Sequence, residues 1–168
     1  MTVTIRTMAP SAPIPLVYRA FFLWIEPFAT AVGAYYALLA QQDYMDLTLP
    51  RQQGFPVSTR ESIVLNQLAN MYCVFALNEA LVLRATSDIR VWQTLLLGLL
   101  IADFGHLYSV HSVGLEVYWR LWEWNAIDWG NLGFVYVGAS MRIAFLLGLG
   151  LGGNANGRRS KGKGKARR

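Results

Sequence analysis

The sequence is poor in charged residues and almost free of cysteine. Charged residues make up 15% of its 168 residues, against about a quarter in an ordinary soluble domain. The single cysteine, Cys73, excludes an internal disulfide and a cysteine-based metal cluster. Because hydrophobic residues account for 54% of the chain, the composition favours a membrane protein over a soluble domain.

Lysine is missing from most of the chain. All three lysines lie in the C-terminal tail, where seven of the fifteen basic residues occupy the last eleven positions. Without this tail the chain has eight arginines and ten acidic residues. A short basic tail is typical of a topology signal or a contact with anionic lipids. We therefore predict membrane lipids as partners, no nucleic acid as a partner, and a disordered tail over residues 152–168.

One apolar stretch, residues 92–110, reads WQTLLLGLLIADFGHLYSV. Its length fits a bilayer, because about 20 helical residues at 1.5 Å each match the ~30 Å hydrocarbon layer. Asp103 and His106 interrupt it three residues apart and share a helix face. Since ionisable groups are costly inside a bilayer, we expect both side chains to face neighbouring helices.

Three further stretches have the length and composition of membrane helices. The four predicted helices cover residues 17–40, 61–84, 88–111 and 127–151. The predicted fold class is therefore all-α, a bundle of four transmembrane helices that forms one domain over residues 17–151. Residues 1–16 are predicted to be an irregular lead, and residues 41–60 a loop, because prolines and a glycine punctuate that polar segment.

The segment 114–127 has too many charges to span a bilayer. On a helical wheel Glu116, Arg120 and Glu123 lie on one side, opposite tryptophans. This pattern is typical of a helix that lies in the membrane interface. A short, tryptophan-rich interfacial helix is therefore predicted between the third and fourth membrane helices.

The first predicted helix carries an acid beside a proline. Glu26 shares a face with small residues repeated every four positions, which let helices approach closely. We therefore expect Glu26 to point at a neighbouring helix. Pro27 has no N–H and leaves the carbonyl of Leu23 without its helical donor. On the purely structural interpretation, a protonated Glu26 is the partner of that carbonyl.

Positive residues near the predicted helix ends favour one orientation. Arginines precede the first helix and flank the second connection, and the basic tail follows the fourth helix, which places both termini in the cytosol. Counting 1.5 Å per residue from the helix ends, we expect Glu26, Glu79 and Arg142 to form a buried ion pair at one depth. A second polar layer is expected in the opposite half of the membrane. Its members are Asn66, Gln67, Asn70, Asp103, His106, Asp128 and Asn131.

This second layer supplies the candidate functional residues. Asp103 and His106 form an acid–imidazole dyad that can hold or move a proton, so they are the candidate catalytic residues. The candidate ligand contacts are Asn66, Asn70, Asp128, Asn131 and Trp129. For Asp103 and His106 a buried structural pair is an equal alternative, and for the amides a structural role between helices is weighted above a ligand role.

Motifs of known cofactor and metal chemistry are missing from the sequence. It has no phosphate loop, no HExxH zinc motif, no serine elbow and no haem-type CxxCH. The two histidines, His106 and His111, are five residues apart rather than at the usual i,i+4 spacing of metal ligands. We therefore predict no metal site and no cofactor.

Four segments carry a family resemblance. They are FFLWIEPFATAVGAYY, QLANMYCVFALNEALVLR, LLGLLIADFGHLYSV and WNAIDWGNLGFVYVGASMR. On these the chain resembles a family of small fungal integral membrane proteins, which implies four membrane helices. In size and helix number it is also similar to the emopamil-binding and sigma-2-receptor-like proteins, which bind or isomerise sterols, but no catalytic residue carries over. We expect a multi-pass protein of the endoplasmic reticulum or another endomembrane.

The sequence favours two functions over a third, a transporter, because four helices without an internal repeat give one chain little room for alternating access, although a dimer could provide it. The first is a membrane-embedded pocket for a lipophilic small molecule such as a sterol, terpenoid or polyketide. If the protein is an enzyme, Asp103 and His106 would act as acid and base in an isomerase or cyclase. The second is a non-catalytic scaffold or accessory subunit whose polar groups specify helix packing. A homo-oligomer is compatible with both.

Overall fold

The computed structural model describes residues 14–151. Over that range the chain is all-helical, without strands, and has four long helices, which confirms that the fold is all-α. Numbered along the chain with one short helix, they are α1 (Leu16–Leu39), α2 (Gln41–Thr48), α3 (Thr59–Ala85), α4 (Ile89–Val113) and α5 (residues 126–146). The predicted basic tail and most of the predicted N-terminal lead lie outside the described residues.

Three of the helices, α1, α3 and α4, are long and apolar enough to cross a membrane. Their outer faces expose many large hydrophobic side chains, among them Leu39, Ile63 and Ile101. A monomeric soluble protein does not expose apolar surface on this scale. The helices therefore indicate a membrane protein, as the composition predicted.

Side-chain caps set where the helices begin. Ser58 accepts a hydrogen bond from the backbone N–H of Glu61, and the Glu61 carboxylate accepts one from the N–H of Ser58, a capping box that opens α3. Asp88 caps α4 by accepting from the N–H of Arg90. Each cap satisfies an N–H group that has no partner inside its helix.

The four long helices pack as two antiparallel pairs, α1 with α3 and α4 with α5. In the first pair the small-residue face of α1 lies against α3, because a Cβ at Gly33 would be 3.4 Å from the ring of Tyr72. Small residues at such a crossing let two backbones approach closely. The small-residue repeat of α1 therefore serves the packing of α1 against α3 within the same chain.

Apolar clusters join the two pairs at both ends. At one end the rings of Phe22, Trp92 and Phe145 pack together in a fully buried group, and the Tyr18 hydroxyl donates to the carbonyl of Leu149 at 2.8 Å. At the other end a cluster that includes Ala37, Tyr44, Leu65, Ala69 and Ile127 holds α2 against the start of α5. Charged side chains lie in the middle of the bundle, between the two clusters.

Two sequence predictions about the connections are wrong. Residues 41–60 are not a continuous loop, because Gln41–Thr48 forms α2, whose Tyr44 is buried in the second cluster. Residues 114–127 are not one interfacial helix, because they form the short 3-10 turns Leu115–Tyr118 and Leu121–Glu123 before α5 begins. The indole N–H of Trp124 turns inward and donates to the carbonyl of Val117 at 2.7 Å.

The fourth predicted helix ends earlier than expected. The α-helical part of α5 ends at Leu146 instead of residue 151. Gly148 and Gly150 follow with φ angles of 76° and 71°. Glycine adopts this left-handed conformation readily and commonly ends helices.

The carbonyl that Pro27 frees has a different partner from the one expected. A guanidinium nitrogen of Arg84, Nη2, donates to the carbonyl of Leu23 at 2.5 Å. The same guanidinium lies 4.2 Å from the ring centroid of Trp24, a cation–π distance. Oε1 of Glu26 accepts from Arg142 instead, so the structural interpretation in which Glu26 donates to Leu23 is wrong.

Replacing Arg84 with methionine is expected to lower the free energy of unfolding by about 1–2 kcal/mol, because a charge-assisted hydrogen bond and a cation–π contact are lost. Unfolding in mixed detergent micelles measures this, with Arg90→Met at an exposed arginine as the control. In a Pro27→Ala background the cost of Arg84→Met should shrink, because alanine restores an N–H for the carbonyl of Leu23. Equal costs in both backgrounds would contradict the assignment.

Candidate functional site

Each long helix contributes one residue to a buried ionic cluster, hereafter the arginine cluster: Glu26 from α1, Glu79 from α3, Asp103 from α4 and Arg142 from α5. Nη2 of Arg142 donates to Oε1 of Glu26 and, at 3.2 Å, to Oε1 of Glu79. Nη1 of Arg142 donates to Oδ2 of Asp103 at 2.7 Å. The exposed fraction of the four side chains is 7%, 1%, 13% and 4% in that order.

The arginine cluster contains more acids than its guanidinium can neutralise. Three carboxyl groups surround one cation, and unbalanced charge is expensive in a low-dielectric interior. Glu26 and Glu79 both accept from the same nitrogen of Arg142. The cluster therefore has an excess of acidic groups around a single cation.

Asp103 lies with Arg142 rather than in a separate polar layer. The depth estimate counted backbone positions, but a long side chain leans toward the N-terminus of its own helix. In α5 that direction leads from Arg142 toward the C-terminal half of α4, where Asp103 lies. The predicted division into two layers is therefore wrong for Asp103, and the ion pair of Glu26, Glu79 and Arg142 gains a third acid.

A cavity of about 520 Å³ lies between the two helix pairs and reaches the arginine cluster. Its volume falls in the range typical of small-molecule sites, about 300–1,000 Å³. Its walls are mainly apolar and aromatic. They include Val32, Tyr36, Tyr44, Tyr72, Phe75, Leu99, Trp129 and Phe134. All four members of the cluster line it, as does His106.

Local π-helical geometry coincides with the cavity in three long helices. Phe21–Ile25 directly precedes Glu26, Asn78–Val82 contains Glu79, and Trp129–Phe134 contains several lining residues. A π-helical turn inserts an extra residue and re-aims the side chains that follow it, and such turns are frequent at functional sites. In α1 the turn also accompanies Pro27, a usual cause of helix distortion.

The two candidate catalytic residues both line the cavity but do not pair with each other. Asp103 binds Arg142, and no hydrogen bond joins it to His106 among the described residues. The Nε2 atom of His106 is buried without a hydrogen-bond partner, as is Oε2 of Glu26. Buried polar atoms of this kind are uncommon and are expected to find a partner. Both belong to residues that border the same cavity.

The candidate ligand contacts divide into two groups. Asn131 and Trp129 line the cavity, and the ring of Trp129 packs edge-on against Trp124 at 5.0 Å between centroids. Asn66, Asn70 and Asp128 are not among its lining residues.

Each of the residues away from the cavity has a different placement. Asn66 is exposed on α3 and accepts a hydrogen bond at 2.8 Å from Gln41, the first residue of α2, and Asn70 is also exposed. Asp128 closes a capping box with Asn125 at the start of α5, accepting from its N–H at 3.0 Å. Counting helical positions could not fix which side of each helix faces the cavity.

Sequence reasoning missed the aromatic walls of the cavity. Tyr36, Tyr44 and Tyr72 line it, yet each lies in a stretch whose pattern gives no functional signal. The pairing of α1 with α3 brings them together, since Gly33 lies against Tyr72. The small residues at Ala29 and Gly33 were the one available signal, because a close crossing places the flanking side chains at the edge of the contact.

One of three comparisons with known proteins gave a match. The model of the domain of unknown function DUF7704 matches residues 11–152. No curated protein and no solved structure matches the chain, so the similarity to emopamil-binding and sigma-2-receptor-like proteins stays an expectation. The matched range contains all five helices and the whole arginine cluster. The chain therefore belongs to the DUF7704 family.

Proposed function

We propose that the protein binds a lipophilic small molecule in an intramembrane pocket formed by four membrane-crossing helices. In this proposal α5 is the fourth crossing, and both termini lie in the cytosol. The burial of Arg142 among acids from the other three helices supports the crossing of α5, because a charge in a membrane helix is tolerated where it faces partners inside the bundle. The basic residues near the helix ends support the orientation.

The cavity between the helix pairs is the observation on which this function depends. It combines apolar walls with a few ionisable groups at the arginine cluster, the usual composition of a site that binds a mostly apolar ligand and orients it by a few polar contacts. A bundle that needed polar groups only for packing would gain more by filling such a volume with side chains, because membrane helices associate through close packing.

Acid–base chemistry on the ligand is the further step of this proposal. Asp103 lines the cavity within the arginine cluster, and His106 lines it one turn further along α4. A carboxyl group and an imidazole that border one ligand can donate and accept a proton at different atoms of it, as an isomerase or cyclase requires. The assigned roles are acid for Asp103 and base for His106.

Native mass spectrometry of the full-length protein, purified in a mild detergent, tests the pocket. We expect a lipophilic molecule to co-purify, with its identity read from extraction and lipid analysis. Ala102→Phe fills the cavity, since Ala102 lines it, and should reduce the co-purified amount at least tenfold. Ala31→Phe, at an exposed position of α1 outside the lining, is the matched control and should retain it.

The same samples test the catalytic residues. The double variant Asp103→Asn, His106→Gln should still bind the co-purifying molecule but no longer convert it, because both replacements keep size and polarity while removing the exchangeable charge. Conversion by a correctly folded double variant would remove both residues from the mechanism. Absence of a bound lipophile in the unmodified protein, with equal melting temperatures for the two phenylalanine variants, would reject the pocket.

A scaffold or accessory subunit is the second candidate function. The observation that favours it is that the arginine cluster takes one residue from every long helix, which suits a device that specifies helix packing. On this alternative, substitutions in the cluster lower folding and abundance, and filling the cavity with Ala102→Phe raises stability without any loss of ligand.

A further inference from the structure

The lining of the cavity is exposed on one side only. On α1, Phe28 and Val32 are 73% and 41% exposed, and Trp129 on α5 is 55% exposed. Gly130 beside it is also exposed, and a Cβ there would meet nothing within 4 Å. The lining residues contributed by α3 and α4 are instead buried or half-buried, Leu99 among them.

This asymmetry follows from the helix pairing. Because α1 packs on α3 and α4 packs on α5, α1 and α5 belong to different pairs. The apolar clusters join the pairs toward both ends, with Phe21 of α1 stacked on Phe134 of α5, and the arginine cluster joins α1 to α5 between them. The remaining opening of the cavity is therefore a gap flanked by Phe28 and Val32 on α1 and by Trp129 and Gly130 on α5. Since both helices are taken to cross the membrane, this gap faces the lipid.

The cavity is long and has its charged groups concentrated toward one end. Its lining on α1 runs from Glu26 to Tyr36, which at 1.5 Å per residue corresponds to roughly 15 Å. The arginine cluster borders the end near Glu26, and the walls toward Tyr36, Tyr44 and Ile127 are mainly apolar and aromatic, with His106 and Asn131 among the further polar lining residues. A molecule that fills this space has one polar end and an apolar body.

Negative charge exceeds positive charge at the polar end. Three carboxyl groups share one guanidinium, and Oε2 of Glu26 and Nε of Arg142 have no hydrogen-bond partner among the described residues. A polar end that donates hydrogen bonds satisfies such a site, whereas a carboxylate or phosphate would add negative charge to an excess of acids. Alcohols and amines share the required donor chemistry.

We propose that the ligand of this cavity is a molecule dissolved in the bilayer, with one hydrogen-bond-donating end, that enters sideways through the gap between α1 and α5. This inference rests on the proposed pocket and names its ligand class and its route. The donating end lies at the arginine cluster, and the apolar body lies along Tyr36 and Tyr72.

Uptake of defined lipophiles by the full-length protein in phosphatidylcholine nanodiscs tests the route. Oleyl alcohol and ergosterol serve as donor-ended probes, and bound probe is counted by native mass spectrometry over time. Gly130→Leu places a side chain in the gap and should slow uptake at least tenfold. The control is Gly98→Leu, at an exposed position of α4 that also has nothing within 4 Å of a new Cβ, and it should take up probe at the original rate.

A second variant keeps the route testable if Gly130→Leu folds poorly. Val32→Trp narrows the gap from the α1 side and should slow uptake in the same way. Ala102→Phe acts differently, because it reduces the amount bound at equilibrium. Unchanged uptake rates in both gap variants, with normal binding by the unmodified protein, would overturn the route while leaving the pocket intact.

The ligand class is tested by a pair of probes with the same chain. Oleyl alcohol and oleate differ only in the polar end, and oleyl alcohol should bind at least tenfold more tightly. Equal or tighter binding of oleate would overturn the donor-ended class. If the unmodified protein takes up neither oleyl alcohol nor ergosterol and no lipophile co-purifies with it, the pocket itself is rejected, an outcome distinct from failure of the route.

Discussion

Arg142→Met is expected to lower the free energy of unfolding by about 3–5 kcal/mol, the typical cost of removing one partner from a buried ionic group. Methionine fills a similar volume and suits a membrane helix, so the loss comes from the charge. Glu26, Glu79 and Asp103 would then face one another without their shared cation. Equilibrium unfolding in mixed detergent micelles measures the change, and the yield of folded protein should fall in parallel.

Arg120 provides a matched comparison outside the bundle. It also binds two carboxylates, Glu116 at 3.0 Å and Glu123 at 3.2 Å, but its side chain is 40% exposed. Exposed ion pairs contribute about 0–1 kcal/mol, so Arg120→Met should change stability little. Similar losses in the free energy of unfolding for Arg120→Met and Arg142→Met would mean that burial does not increase the contribution of the arginine cluster to stability.

A companion variant separates charge from contact. Glu26→Gln keeps a polar side chain beside Arg142 and removes one acid from a cluster with an excess of them, so it should cost far less than Arg142→Met. A gain in stability is also consistent with the charge count, because relieving buried like charges is favourable. A loss as large as that of Arg142→Met would contradict the excess of acids as the defining feature.

The all-helical fold was predictable because it depends on local signals. Long apolar runs set helix length, and the capping residues Ser58 and Asp88 set where α3 and α4 begin. The connections were less predictable, since their form depends on contacts made elsewhere. The polar segment 41–48 forms a helix in which Tyr44 packs into a core cluster. The indole of Trp124 turns inward and donates to the backbone carbonyl of Val117. Neither contact produces a periodic pattern of residues from which it could be predicted.

The candidate site was only partly predictable for a related reason. Helical spacing indicated that Glu26, Glu79 and Arg142 lie at one depth, but it carried no information on side-chain reach, which brings Asp103 to Arg142. Periodicity also assigns residues to faces without saying which neighbour each face meets. Asn66 and Asn70 therefore looked equivalent to Asn131, although only Asn131 of these three lines the cavity.

Gly138→Ala is expected to destabilise the protein by about 1–3 kcal/mol, the usual cost of overpacking a well-packed interior. A Cβ at Gly138 would lie 2.8 Å from Nη1 of Arg142 and 3.3 Å from Oε1 of Glu26. The arginine tip cannot simply move away, because Nη1 also donates to Asp103 at 2.7 Å. Glycine at this position thus gives the guanidinium the space to reach three helices at once.

The direction of the stability change distinguishes Gly138→Ala from an ordinary glycine-to-alanine substitution in a helix. Alanine is normally favoured over glycine inside a helix by roughly 0.5–1 kcal/mol, so Gly105→Ala, where a Cβ meets nothing within 4 Å, should leave stability unchanged or raise it. Gly138→Ala should lower it. In an Arg142→Met background the cost of Gly138→Ala should largely disappear, since the atom it displaces is gone. A cost that persists there would place the crowding elsewhere than at the guanidinium, and would remove Gly138 from the construction of the arginine cluster.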